Sequence, residues 1–202
     1  ALAVPVRSEC PLADINGDCD VNILDLRVLA EQWLSSSGSS ADLSGDDRVN
    51  TTDFAILGSQ WQRAGIPLVI NEFMASNNSV TQDPQGQSDD WIEIHNYGTK
   101  AIDVGGLYLT DDLSNPIKWQ IPNSNSAVTT IGAGGYLLIW ADNDVSDAGL
   151  HANFRLDAGG EQIALFDSDG STLIDSVVFD EQSSDISSGR YPDASDNWQL
   201  FG

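Results

Sequence analysis

Two groups of oxygen-bearing side chains recur in this chain at the same internal spacing. The first comprises Asp14, Asn16, Asp18, Asn22 and Asp25. The second comprises Asp42, Ser44, Asp46, Asn50 and Asp53, and begins 28 residues later. Counted from Asp14 and from Asp42, both sets occupy positions 1, 3, 5, 9 and 12. A hard cation such as Ca²⁺ takes about six to eight oxygen ligands, and a loop of about twelve residues supplies them at this spacing. The residues therefore point to two calcium ions, one per loop; acidic turns without metal are the plain alternative. The repeat continues beyond the loops, with Leu29 matching Leu57, Gln32 matching Gln60 and Trp33 matching Trp61.

Helices must hold these loops, and the sequence provides only half of the usual set. A full EF-hand has a helix on each side of its loop. Before the first loop stands Cys10-Pro-Leu-Ala13, short and broken by proline; before the second lies Ser35-Ser-Ser-Gly-Ser-Ser-Ala41, a poor helix former. After each loop the spacing is helical. Leu26, Leu29, Ala30 and Trp33 form one apolar stripe and Phe54, Leu57, Gly58 and Trp61 the other. The two stripes are expected to bury each other, with Gly58 allowing close approach.

Paired loop-helix repeats without entering helices resemble the dockerin family over roughly residues 10–63. The resemblance implies that Asp14, Asn16, Asp18 and Asp25 ligate one ion through their side chains and Asp20 through its carbonyl. For the other ion it implies Asp42, Ser44, Asp46 and Asp53, with the Arg48 carbonyl. Asn22 and Asn50 would act through water. It also implies docking of a helix face on a cohesin-like partner, read at loop positions 10 and 11. Those positions hold Ile23 and Leu24 in one copy and Thr51 and Thr52 in the other. The copies differ in polarity, so a partner would read them differently.

Loop position 6 normally holds glycine, which accepts the positive φ of a sharp turn. Here it holds Cys19 and Asp47. Cys10 and Cys19 are the only cysteines. Either they form a disulfide that steadies the turn, or they are two free thiols. A bridge, calcium loops and few lysines point to an extracellular or cell-surface setting.

The formal net charge is −23, with −6 carried by residues 1–65 and −17 by residues 66–202. Nucleic acid is excluded as a natural partner, because binding its phosphates needs clustered Lys and Arg. No run approaches the roughly 18 apolar residues of a membrane span. Ala1-Leu-Ala-Val4 reads as a processing scar or a cloning junction.

From residue 66 the texture changes to short β-rich runs: 68–73, 91–95, 107–110, 136–140, 162–166 and 176–179. Turn clusters such as Gly132-Ala-Gly-Gly135, Ala158-Gly-Gly160 and Asp167-Ser-Asp-Gly170 separate them. Six short strands at such spacing predict an antiparallel sandwich. Its phrases include Val69-Ile-Asn-Glu-Phe-Met74, Asp90-Trp-Ile-Glu-Ile-His-Asn96, Gly134-Gly-Tyr-Leu-Leu-Ile-Trp140 and Gly189-Arg-Tyr-Pro-Asp193. In this order they resemble the lamin tail domain, an immunoglobulin-like sandwich. Bacterial members imply adhesion or tethering in secreted or surface proteins, and no catalytic residues come with that family. Its nuclear members' link to chromatin does not fit so acidic a chain.

The expected architecture is thus α plus all-β in two domains. A dockerin-like calcium module spans 1–65 and an immunoglobulin-like sandwich spans 66–202. Other chemistry is thinner. Glu72, Asp90 and Glu93 cap loops or pair with Arg190, in preference to acting as an acid-base pair. His95 and His151 read as structural, Asp167–Gly170 as a hairpin turn, and Asp142-Asn-Asp144 as a loop with a weaker calcium alternative. Trp91, Trp119, Trp140 and Trp198 are candidates for a sugar-stacking platform. The expected function is non-catalytic attachment to a cohesin-like protein or cell-surface component. An internal spacer and a carbohydrate-binding module are the alternatives, and a hydrolase comes last.

Overall fold

The computed structural model describes residues 10–36 and 38–202, so Ala1–Val4 lie outside the described residues. The chain forms two compact units that part between Pro67 and Leu68.

In the first unit, helices α1 (Ile23–Glu31) and α2 (Thr51–Ser59) follow the two loops. Each starts on an asparagine cap. The Asn22 side chain accepts from the Leu24 amide, and Asp25 reaches back to the Asn22 amide; Asn50, Thr52 and Asp53 repeat the arrangement. Such reciprocal capping satisfies amides that the first helical turn leaves unpaired.

The core consists of Ala13, Val21 and Leu29 packed with Ala41, Val49 and Leu57. These are three pairs of equivalent positions in the two repeats. The expectation of two fully buried stripes is corrected. Only Leu29 and Leu57 of the predicted sets are buried, whereas Ala30, Trp33, Phe54, Gly58 and Trp61 are exposed. Each helix is nine residues long, and one turn of it meets the loop residues of the other repeat. A Cβ on Gly58 would meet nothing within 4 Å, so that glycine serves no close approach.

The repeats are interlocked. Residues after α1 pair with the second loop, through Leu34 N to Val49 O (2.9 Å) and Val49 N to Ser35 O (3.1 Å). Residues after α2 pair with the first, through Gln62 N to Val21 O and Val21 N to Arg63 O, both 2.8 Å. The glutamines capping the helix ends do the same: Gln32 Oε1 accepts from Ala41 N at 3.2 Å and Gln60 Oε1 from Ala13 N at 3.1 Å.

The second unit is a β-sandwich. Its strands are Leu68–Met74 (β1), Trp91–Asn96 (β2), Ile102–Asp103 (β3), Tyr108–Thr110 (β4), Trp119–Gln120 (β5) and Thr130–Ile131 (β6). They continue with Tyr136–Ala141 (β7), His151–Ala152 (β8), Gly160–Phe166 (β9), Leu173–Asp180 (β10), Ser187–Arg190 (β11) and Trp198–Phe201 (β12). One sheet runs β12-β11-β1-β2-β7-β8, the other β10-β9-β4-β5, and β3 pairs with β6. Pairing is antiparallel except between β7 and β8, which run parallel. Between the sheets Phe73 of β1 meets Phe179 of β10 with ring centroids 4.5 Å apart. Ile70, Ile92, Ile94, Leu109, Ile139 and Ile163 are fully buried in the apolar interior.

All six predicted runs are strands. Asp167–Gly170 forms the β9–β10 turn, closed by Asp167 N to Thr172 O and Gly170 N to Asp167 O. Arg190 is buried as expected of a structural cation, but its expected partners are corrected. Glu72 accepts from Ser187 Oγ, Glu93 from Asn71 and Asp90 from the Asn77 amide. Arg190 instead points into the interior, where Asp175 of β10 receives it.

Candidate functional site

The loops gather their carboxylates. Ligand-capable oxygens of Asp14, Asp18 and Asp25 lie within 4.8 Å of one another, and those of Asp42, Asp46 and Asp53 do likewise. Backbone amides organise each triad. Asp14 accepts from Gly17, Asp18 and Cys19 at 2.8–3.0 Å. Asp25 accepts from Ile15 and Asn16. In the second loop Asp42 accepts from Gly45, Asp46 and Asp47, and Asp53 from Ser44. Asp25 and Asp53 are fully buried. Burial pushes Asp14 above the ordinary carboxylate range against its three amide donors, and the nearby Asp25 adds to that push.

Three converging carboxylates repel one another, and a divalent cation relieves this directly. The donor set is oxygen alone, which suits a hard ion. Of the remaining expected ligands, Asn16 and Ser44 sit inside the loops, Asn16 accepting from Asp18 N and Ser44 Oγ donating to Asp42. The Asp20 and Arg48 carbonyls accept from the side chains of Asn22 and Asn50.

At loop position 6 the backbone turns left-handed in both copies, with φ +63° at Cys19 and +66° at Asp47. A disulfide joins Cys19 to Cys10, with Cα atoms 4.8 Å apart. Ile23, Leu24, Thr51 and Thr52 lie in the first turns of α1 and α2, and all four are exposed; Ile23 is 64% and Leu24 48% accessible.

Comparison with protein families bears on both units. The lamin tail domain model matches residues 62–181. The chain belongs to the lamin tail domain family. The dockerin type I domain model matches residues 12–60, ahead of the lamin tail domain in the order expected. No curated protein matches the chain. Dockerin type I domains typically bind calcium and cohesins, and both families are non-catalytic modules that serve interaction or structure. The lamin tail match ends before β11 and β12, yet β11 pairs with β1 inside the larger sheet. Among the described residues no helix is long and apolar enough to cross a membrane.

The sugar-stacking candidates do not form a platform. Trp91, Trp119 and Trp140 are each at most 7% accessible. Trp198 lies beneath the Arg190 guanidinium, 4.8 Å from ring to cation. His95 is buried, bonded through Nδ1 to Gly135 O and stacked on Tyr136. Glu72 and Glu93 oppose each other on β1 and β2. Burial, with Glu72 close by, holds Glu93 above its usual range despite the hydrogen bond from Asn71.

Proposed function

We propose that this chain is a calcium-stabilised attachment module of a secreted or cell-surface protein, with a dockerin-like domain over residues 1–65 and the lamin-tail sandwich over residues 66–202. Two Ca²⁺ ions occupy the loops. Asp14, Asn16, Asp18 and Asp25 hold one with the Asp20 carbonyl; Asp42, Ser44, Asp46 and Asp53 hold the other with the Arg48 carbonyl. Each ion supplies positive charge that cancels carboxylate repulsion and fixes the loop from which a helix starts. Ile23, Leu24, Thr51 and Thr52 form the contact surface for a cohesin-like protein or cell-surface component, and the sandwich acts as the non-catalytic body.

The reading rests on one observation: each carboxylate triad converges at the start of a helix whose first turn presents an exposed residue pair. Titration calorimetry tests it. The chain should bind two Ca²⁺, and Asp25→Ala or Asp53→Ala should each reduce this to one, since position 12 gives the strongest carboxylate ligand in such loops. Unchanged stoichiometry in either variant would remove that loop from the assignment.

A further inference from the structure

A third group of potential metal ligands lies in the sandwich. Asp83, in the segment between β1 and β2, approaches Asp142, just after β7, and His151 on β8. One ligand-capable atom from each lies within 4.8 Å of the others, and all three residues are buried. The parallel pairing of Trp140 with His151 and Ala141 with Ala152 brings the last two together. His151 Nδ1 stands 2.6 Å from Asp142 Oδ2, while Asp142 Oδ1 accepts from the Asp144 amide at 2.9 Å. The other ring nitrogen, Nε2, stands 3.3 Å from the Ala148 carbonyl oxygen. A Cβ on Gly149, whose φ is +131°, would come within 3.0 Å of Nε2.

Asp83 carries the decisive observation. Its Oδ1 accepts amides from Gln85 at 3.0 Å and Gln87 at 2.7 Å, which aim the carboxylate. Its Oδ2 is buried, and no donor among the described residues reaches it, although Asp83 as a whole is only 6% accessible. Asp89 repeats this, with a buried Oδ2 that also has no partner. Arg155, a nearby base among the described residues, directs Nε to the Asp142 backbone oxygen at 2.8 Å. A buried carboxylate oxygen without a donor is costly, so such oxygens are paired or bind metal.

We infer that Asp83, Asp142 and His151 form a binding site for a divalent transition metal of the zinc class. The donor types decide the class. An imidazole nitrogen with carboxylate oxygens suits a borderline ion, whereas the all-oxygen loops suit a hard one. Ligands about 2.0–2.2 Å from a tetrahedral ion stand about 3.4 Å from each other. A separation at the present 4.8 Å limit would close by about 1.4 Å, and the 2.6 Å contact between His151 and Asp142 would open by about 0.8 Å. The ion would tie the 75–90 segment to the β7–β8 edge and neutralise the crowded carboxylates there.

The test uses the full chain with millimolar Ca²⁺ present, which keeps the all-oxygen loops out of the measurement. Co²⁺ alone is titrated while visible absorption is recorded, and Zn²⁺ alone is followed by calorimetry. The expected result is one equivalent of each metal, with the low-symmetry cobalt bands of a nitrogen-oxygen site that excess Ca²⁺ does not displace. Asp83→Asn and His151→Gln should each weaken Zn²⁺ binding by about 100-fold or more, beyond the 10–100-fold that loss of an outer-shell partner produces. A ring-nitrogen NMR spectrum of the unaltered chain covers the case in which a variant does not fold. Zn²⁺ should move the His151 signals and leave those of His95 in place. Absence of a cobalt spectrum, equal binding by folded variants, or movement of His95 alone would each overturn the site.

Discussion

Arg190 and Asp175 join the two sheets of the sandwich. Arg190 Nη2 lies 3.1 and 2.9 Å from the two carboxylate oxygens, and both side chains are fully buried. The pair also closes a gap in the backbone ladder. The β1 register shifts between Ile70 and Glu72, and β11 pairs only with Glu72 and Phe73. Ile70 N then donates to Asp175 Oδ2 at 2.8 Å, and Ile70 O accepts from Arg190 Nε at 2.9 Å. Removing one member of such a pair leaves the other's buried charge without its close partner, although Arg190 keeps a longer contact of 3.6 Å to Asp196. Arg190→Ala or Asp175→Asn should therefore cost about 3–5 kcal/mol. Urea unfolding of the sandwich measures this, and calcium stoichiometry should stay unchanged. A variant as stable as the parent would show that the pair adds nothing net.

Calcium should stabilise the loop-helix unit by ligand linkage. At about 100 times Kd, a cation that binds only the folded form adds about 2.7 kcal/mol. Scanning calorimetry with and without chelator should show one transition that moves and one that does not. If chelator shifts neither, the carboxylate triads do not couple metal to folding.

The reciprocal glutamines make a separate prediction. Gln32→Ala and Gln60→Ala each remove an acceptor from an amide of the opposite repeat. Each should cost about 1 kcal/mol, the usual net value of one such hydrogen bond. Chemical denaturation of the calcium-loaded protein reads the effect.

The disulfide should make the two loops unequal. Reduction frees Cys19 to leave its left-handed turn, with a chain-entropy cost of about 2–3 kcal/mol to the folded form. Calcium affinity at the first loop should fall, while the second loop, held by the Asp47 amide to Asp42, should keep its affinity. Titration of the Asp53→Ala variant, with and without reductant, isolates the first loop. No change there would mean that Asp14 and Asp25 alone set the turn.

Tyr136 donates to Asp193 Oδ2 at 2.5 Å, and this bond first, then burial, pushes its phenol from 10.0 to about 12. The folded value lies above the unfolded one. The contribution to stability is thus complete below pH 10 and disappears as pH rises through about 12. Phenolate absorbance should show one late-titrating tyrosine, absent in Tyr136→Phe and shifted down in Asp193→Asn. A titration identical in Asp193→Asn would place the cause elsewhere.

Much of this was legible in the residues because it is local. The calcium-loop spacing, the helices after each loop and six strands are written in short-range patterns of oxygen, 3.6-residue and two-residue periodicity. What escaped depends on partners far apart in the chain. Asp175 gives no sign of Arg190 at a distance of fifteen residues, since its neighbours Ile174 and Val177 read only as strand. β11, Ser187-Ser-Gly-Arg190, is buried throughout yet lacks every branched or aromatic residue that marks a strand. Asp83, Asp142 and His151 look like ordinary loop and strand residues until the β7–β8 pairing joins them. The helix stripes misled for a related reason: periodicity at Trp33 and Trp61 is real, but the small apolar core closes on Leu29 and Leu57 and leaves both tryptophans exposed.

The exchange of tails between the repeats has a consequence for what one repeat can be. A single 28-residue unit carries the pairing backbone and the glutamine for another loop, and neither for its own. By itself it could be completed only by a second copy, as a symmetric homodimer whose two subunits trade the same contacts. Tandem fusion turns that encounter into an intramolecular event at an effective concentration on the order of millimolar. It also lets the halves diverge while remaining mutually dependent, so that one can carry a disulfide and an apolar pair while the other carries neither.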